Sequence, residues 1–209
     1  MIEILKYLLV AIAAYLLGSF STGILVANKL GHDIRSEGSK NTGASNALRV
    51  LGLKGGAIVF LGDFIKASIA VMIGHLMLGM NGAIVGGLCV VLGHNWPIFF
   101  GFKGGKGIAC SAAIVLLTFW WQGLIAIVIC LAVIYFTRYI SLGSMTMLFS
   151  YMIFMCIAHW GEWFTCLFCV ILFVLCVIRH RSNIGRLLNG TENKIGQKVK
   201  PNQQTEESK

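Results

Sequence analysis

The chain has 209 residues, of which 57% are hydrophobic and only 12% charged, and its formal net charge is +9. A soluble domain of this size carries roughly 25% charged residues. One small globule cannot bury so much apolar surface, so composition excludes an ordinary soluble enzyme and points to lipid as the solvent.

A membrane-spanning helix needs about 20 mostly apolar residues. In chain order the predicted spans are 4–28, 56–80 (interrupted by Asp63 and Lys66), 83–100, 108–121, 124–136, 142–159 and 163–178. The fold expected is an all-α polytopic membrane protein of about seven helices. Five or six follow if the fourth and fifth segments are re-entrant or fused. No small-residue cleavage site precedes a mature polar domain, so the first segment reads as a span and not as a removed signal peptide. One membrane-embedded domain is expected over 1–193, followed by a polar, disordered cytoplasmic tail over 194–209.

Cytoplasmic loops collect Lys and Arg. With the N-terminus outside and the C-terminus cytoplasmic, the inner segments are 29–55, 101–107, 137–141 and 179–209. Of the 17 basic residues, all but Lys6 and Lys66 fall there. Trp120, Trp121, Trp160 and Trp163 mark the short outer turns and suit an interfacial aromatic belt. The seven Cys lie almost all in apolar segments. An odd number inside helices is no disulfide framework, and Cys166-x-x-Cys169 lacks the further ligands of a metal site.

Chemistry concentrates in the inner loops. In Lys103-Gly104-Gly105-Lys106-Gly107, glycines free backbone N–H groups to converge on an anion and two lysines add charge. The helix that follows presents its positive end to the same place. The bland alternative is a loop obeying the positive-inside rule, and the spacing is not that of a Walker motif. In Gly38-Ser39-Lys40-Asn41-Thr42-Gly43-Ala44-Ser45-Asn46, hydroxyl and amide donors precede Arg49, whose guanidinium fork fits phosphate oxygens. Taken singly, Ser45 or Asn46 reads as a helix cap. Residues 44–51 suit a short interfacial helix.

Asp63 and Lys66 share one face of the second span and read as a mutually neutralising pair. His94, before Pro97, reads as a helix end. His180 and Asn183 are one helical turn apart, with no neighbouring carboxylate to complete a triad. Glu192 reads as an ion-pair partner for the nearby arginines. No metal-ligand array is visible. Taken together, anion-friendly loops on one side of a helical bundle suit anionic head groups, with a lipid tail entering between helices.

At this point the chain resembles a family, the bacterial membrane glycerol-3-phosphate acyltransferases that use acyl phosphate (PlsY). The resemblance is carried by three motif regions in order. The first runs from Leu17-Gly-Ser-Phe-Ser-Thr-Gly23 through Asp33-Ile-Arg35 to Gly38–Arg49. The second is Gly93-His-Asn-Trp-Pro97 with Phe102-Lys-Gly-Gly-Lys-Gly107. The third is His180-Arg-Ser-Asn-Ile-Gly-Arg186 with Gly190-Thr-Glu192. Arg138-Tyr-Ile-Ser-Leu-Gly-Ser144 is a further match. Lys40, Ser45 and Ser21 depart from a common Gly, Thr and Pro.

The resemblance implies transfer of a fatty acyl group from acyl phosphate to the 1-hydroxyl of glycerol 3-phosphate, giving lysophosphatidic acid and phosphate. It implies activity roles for Ser39, Arg49, His180 and Asn183. Phosphate binding falls to Asn41, Thr42, Gly43, Asn46, Lys103, Gly104, Gly105, Lys106, Gly107, Ser141 and Ser144. Structural roles fall to Glu192, Asp63 and Lys66. The expected setting is the bacterial inner membrane with the site facing the cytoplasm, in a monomer without cofactor or metal and without a nucleic-acid partner.

Two rival classes fit less well. A transporter of phosphorylated solutes favours repeats and a midplane site. A lipid-gripping adaptor favours plain Lys/Arg runs and leaves the glycines unexplained.

Overall fold

A computed structural model describes residues 1–196, and among them helices and loops are found but no strand. The elements are α1 (Ile2–Ser19), α2 (Thr22–Lys29), α3 (Ala44–Val50), α4 (Gly52–Asn95), α5 (Ile108–Thr118), α6 (Trp120–Thr137), α7 (Ile140–Ala158), α8 (Trp163–Arg179) and α9 (Arg181–Leu188). The stretches Ile2–Lys29, Gly52–Phe100, Trp120–Thr137 and Ile140–Ala158 are each long and apolar enough to cross a bilayer. The pair α8 and α9, bent by 62°, adds a fifth.

Lipid-facing and protein-facing sides separate along these helices. On α1, Leu5, Leu8, Leu9, Ile12 and Leu16 are exposed, whereas Val10, Ala14 and Gly18 are buried. That is a helical stripe turned outward. A water-exposed belt of such size would be a liability, and a bilayer makes it an asset.

Helix α4 is long in sequence but doubles back. Leu78 and Gly79 leave helical geometry, and Gly79 takes φ +62°, a left-handed conformation that glycine adopts without strain. A Cβ on Gly74 would strike the Gly82 carbonyl, and one on Gly86 would meet the Ala70 carbonyl at 2.6 Å. In a straight helix residues 74 and 82 would be about 12 Å apart. Residues 52–77 and 80–95 are therefore two antiparallel helices packed backbone to backbone. The sequence reading placed this turn two residues later, near Met80–Asn81.

The first span is broken. The α-helical run stops at Ser19, Phe20 is extended, and Ser21 caps α2. Within a bilayer each freed backbone group needs an internal partner. The Phe20 carbonyl receives the Lys66 ammonium at 2.7 Å, and the Ser19 hydroxyl accepts the Ile98 N–H at 3.4 Å. Nothing in the uninterrupted 4–28 segment read from the sequence announced this break.

Two apolar cores hold the bundle. The larger joins α1, α4, α5, α6, α7 and α8 through Ala14, Ile84, Val90, Ile114, Ala126, Leu148, Tyr151 and Phe168. The smaller packs α2, α3 and the loop between them onto α4 through Ile24, Ile34, Ala47 and Val59. It fixes the 31–43 loop against the bundle. Lys194–Gly196 return to the α6–α7 corner, where the Ile195 N–H donates to the Arg138 carbonyl at 2.8 Å. Residues 197–209, the rest of the expected tail, lie outside the described residues.

Lys40, where the resembled family often has Gly, sits at φ +58°. A Cβ in that left-handed region costs roughly 1–2 kcal/mol. Lys40→Gly is expected to raise stability by up to about 1 kcal/mol once the extra backbone freedom of glycine is subtracted. Thermal unfolding in detergent checks it, a rise in Tm being the expected result.

Candidate active site

A cavity of about 430 Å³ opens where the polar loops meet the helix ends. One end is polar, lined by Ser39, Asn41, Arg49, Lys106, Ser141, Ser144, His180, Asn183 and Glu192. The other is apolar, lined by Ala109, Ala112, Leu116, Ile127, Leu131, Ile134 and Met147 of α5, α6 and α7. A polar head and an aliphatic tail would each find a matching wall.

The loop before α5 is held by Arg179. Its Nε donates to the Gly105 carbonyl at 2.9 Å, and its Nη2 donates to the Gly104 and Gly105 carbonyls at 2.9 and 2.7 Å. The guanidinium in turn lies 5.2 Å from the centre of the Trp96 ring, a cation–π contact. Carbonyls that would repel an anion are thus turned onto a fixed cation. Gly107 opens α5 at φ +78°, and the positive end of that helix borders the cavity together with Lys106.

Glu192 organises the opposite wall. Its Oε1 accepts from the Ser141 hydroxyl at 2.8 Å and from Asn183 Nδ2 at 2.6 Å. Its Oε2 accepts from Arg186 Nε at 2.7 Å. Burial alone would raise the carboxyl's pKa, but the bonds from Asn183, Ser141 and Arg186 hold it below the ordinary range. The amide of Asn183, oriented by Glu192, leaves its oxygen to accept the Lys106 ammonium. Ser141, Glu192, Asn183 and Lys106 form one continuous chain of donors and acceptors.

His180 is buried at the α8–α9 bend. Its Nδ1 lies 2.9 Å from the Cys176 carbonyl. A carbonyl only accepts, so Nδ1 carries the proton and Nε2 keeps its lone pair.

Several residues singled out in the sequence stand elsewhere. Lys103 is exposed and does not line the cavity. Thr42 is buried, with its hydroxyl oxygen unpartnered. Gly104 and Gly105 act through the carbonyls that Arg179 holds, and Lys66 lies behind the wall. Neither Ser45 nor Asn46 caps α3, because Gly43 does. Asn46 instead ties the preceding loop. Its Nδ2 donates to the Ile34 and Glu37 carbonyls at 3.0 Å each, and its Oδ1 accepts the Ser39 N–H at 2.7 Å. Asn41 donates weakly to the Gly104 carbonyl at 3.5 Å, joining the two loops. The ion pair of Glu192 with a nearby arginine, expected from the sequence, is made by Arg186 at 2.7 Å, whereas Arg179 was legible only as positive-inside charge, since its partners are distant in sequence.

With this geometry in view, relatives become informative. The profile of the family described as glycerol-3-phosphate acyltransferase matches residues 8–190. The chain belongs to the glycerol-3-phosphate acyltransferase family. A glycerol-3-phosphate acyltransferase of Thermoanaerobacter pseudethanolicus is 47% identical over 192 residues, covering 91% of this chain and 96% of that protein. One of Clostridioides difficile is 42% identical over 204 residues, covering 94% and 98%. The crystal structure of PlsY (YgiH), an integral membrane glycerol 3-phosphate acyltransferase, in its glycerol 3-phosphate form, superposes with a TM-score of 0.86 at 38% identity. It covers 91% of this chain and 96% of that one. The lysophosphatidic acid form of PlsY superposes with a TM-score of 0.84. The chain is a membrane acyltransferase of the PlsY type, and its three motif regions are those that converge on the cavity.

Burial lowers the Lys106 pKa to about 8, with Glu192 opposing the shift and Arg186, Arg49 and Arg179 adding to it. Lys106 is therefore cationic below about pH 8 and neutral above it. If the ammonium holds a substrate phosphate, kcat/KM should fall as pH rises through about 8. A bound dianion would restore the charge, so the alkaline limb of kcat should lie higher. Lys106→Arg should abolish the limb near 8, which pH–rate profiles of both proteins would check.

Proposed function

We propose that this enzyme transfers the acyl group of an acyl phosphate to the 1-hydroxyl of glycerol 3-phosphate. The observation that carries the reading is one cavity whose lining combines cationic and amide donors with an aliphatic wall. Two phosphate-bearing reactants, one of them fatty, need that combination.

Lys106 and Arg49, with the start of α5, would hold phosphate oxygens. The α5–α7 wall would hold the chain. The glycerol hydroxyl would hydrogen-bond to Nε2 of His180, the nitrogen left with its lone pair. Its oxygen attacks the acyl carbon as the bond from that carbon to the bridging phosphate oxygen breaks, and the hydroxyl proton leaves with the released phosphate. An acyl phosphate is already activated, so stabilising charge on the departing phosphate and aligning the two reactants supply most of the rate. No acyl-enzyme forms. A stable acyl group on Ser39 found by mass spectrometry would overturn that step.

In the membrane we place seven spans, counting both arms of α4 and the short α5, with the N-terminus outside and the cavity opening to the cytoplasm. The crowding of Lys and Arg into loops on the cavity side supports this orientation.

The decisive experiment supplies purified protein with palmitoyl phosphate, with and without glycerol 3-phosphate. Phosphate release that requires glycerol 3-phosphate and yields lysophosphatidic acid is expected. No release from folded protein would overturn the reading.

A further inference from the structure

Asp63, Lys66 and His94 form a buried cluster where α4 meets the first-span break, and none of them has a role in the chemistry above. Asp63, Lys66 and His94 are 1%, 6% and 5% exposed. The Lys66 ammonium has three neighbours. These are the Phe20 carbonyl at 2.7 Å, Asp63 Oδ1 at 2.8 Å and His94 Nδ1 at 3.1 Å. Asp63 Oδ1 is itself shared with the Thr22 hydroxyl at 3.1 Å and lies 3.4 Å from His94 Nδ1.

Proton accounting decides the state of the imidazole. An ammonium has three protons and no lone pair. Two go to the Phe20 carbonyl and Asp63, and the third faces His94 Nδ1. With that nitrogen as acceptor the ring proton sits on Nε2, whereas the Asp63 Oδ1 contact at 3.4 Å would hold it on Nδ1 once the ammonium is removed. The Nε2 edge faces the glycine loop, for a Cβ on Gly105 would collide with Nε2. The Gly105 N–H donates to the His94 carbonyl at 3.1 Å. His94 lines the cavity.

We propose that Lys66, steadied by Asp63, is a positioning residue that fixes His94 as the Nε2–H tautomer, making His94 a neutral hydrogen-bond donor to a bound phosphate monoester beside the glycine loop. This deepens the acyltransferase reading and rests on it for the identity of the phosphate. Two substrates carry such a group, so the bound anion is either glycerol 3-phosphate or the head of the acyl phosphate. Without the Lys66 proton, Asp63 would draw the ring proton to Nδ1. Nε2 would then present a lone pair to an anion.

The test is nitrogen-15 NMR of the full-length, histidine-labelled protein in lipid nanodiscs. Five histidines are present, and His94→Gln assigns the signal. In the unliganded wild type, His94 is expected to be neutral with its proton on Nε2. Saturating glycerol 3-phosphate in one arm, or a non-transferable acylphosphonate in the other, should shift Nε2, and the responding arm identifies the phosphate. A proton on Nδ1, an imidazolium, or no shift in either arm would overturn the proposal. Lys66→Met should move the proton to Nδ1 and raise KM for the responding substrate about 10-fold or more, with kcat little changed. Lys66→Arg should restore the tautomer. The unliganded spectrum needs no turnover, so a failed acyltransferase assay would leave the tautomer question answered separately.

Discussion

Lys106→Met should lower kcat/KM by about 100- to 1000-fold while the protein stays folded, the scale of removing one donor aimed at transition-state charge. Methionine keeps most of the aliphatic stem and deletes the ammonium. The lost group is largely buried, donates to Asn183 and borders the cavity at the start of α5. Removing a partly desolvated cation relieves a folding penalty. Burial lowers the lysine's pKa, so the charged form is destabilised in the folded state. That penalty is complete below about pH 8 and fades as pH rises toward the unfolded value. Loss of activity should therefore come with unchanged or slightly raised Tm below pH 8. A fall in Tm parallel to the fall in rate would mean that Lys106 serves the fold instead. Steady-state kinetics with glycerol 3-phosphate varied, beside thermal unfolding in the same detergent, separates the two.

Glu192→Gln should damage both stability and turnover. The carboxylate accepts three bonds through two oxygens. A glutamine offers one acceptor oxygen and one amide nitrogen that can only donate. Either Arg186 or the Ser141–Asn183 pair then meets a donor head-on. Hydrogen bonds to a charged group contribute about 1.5–3 kcal/mol, so a stability loss of about that size is expected. Asn183 would lose its orientation and Lys106 its partner, and misplacement of about 1 Å can cost about 100-fold in rate. The wild-type carboxylate has a depressed pKa. Its stabilisation is complete above the ordinary carboxylate range and is lost as pH falls through the folded value. The variant should lack this acid-dependent step in Tm, which unfolding at several pH values would reveal. A variant as stable and active as wild type would remove Glu192 from the organising role.

Much of the site was readable in the sequence because its residues travel in local motifs. Lys106 and Gly107 follow one another before a helix. His180 and Asn183 are one turn apart. Asp63 and Lys66, four positions inclusive on one helix face, pair at 2.8 Å. Apolar run length found the apolar helices, and Gly79, two residues before Asn81, lies beside the turn expected between the second and third. What stayed hidden is held through space. Asn46 carries a typical capping side chain, yet its partners are the carbonyls of Ile34 and Glu37. Arg179 lies 74 residues from the Gly105 carbonyl it grips. The break at Phe20 depends on a lysine 46 residues later. No local propensity encodes such pairs.

The Asp63–Lys66 pair has a bearing on biogenesis. Both charges sit one turn apart on a single helix, so that helix reaches the translocon with its acid and base already in contact. His94 and the Phe20 carbonyl then join them from the neighbouring segments. Ser39 and Glu192 are separated by 153 positions in the chain, and synthesis at about 5–20 residues per second puts about 8–30 s between them. During that interval the early helices must persist in lipid without the last wall of the cavity. Internal neutralisation lets them do so, while the cations Arg49 and Lys106 wait at the membrane surface, in water, for the carboxylate that arrives last.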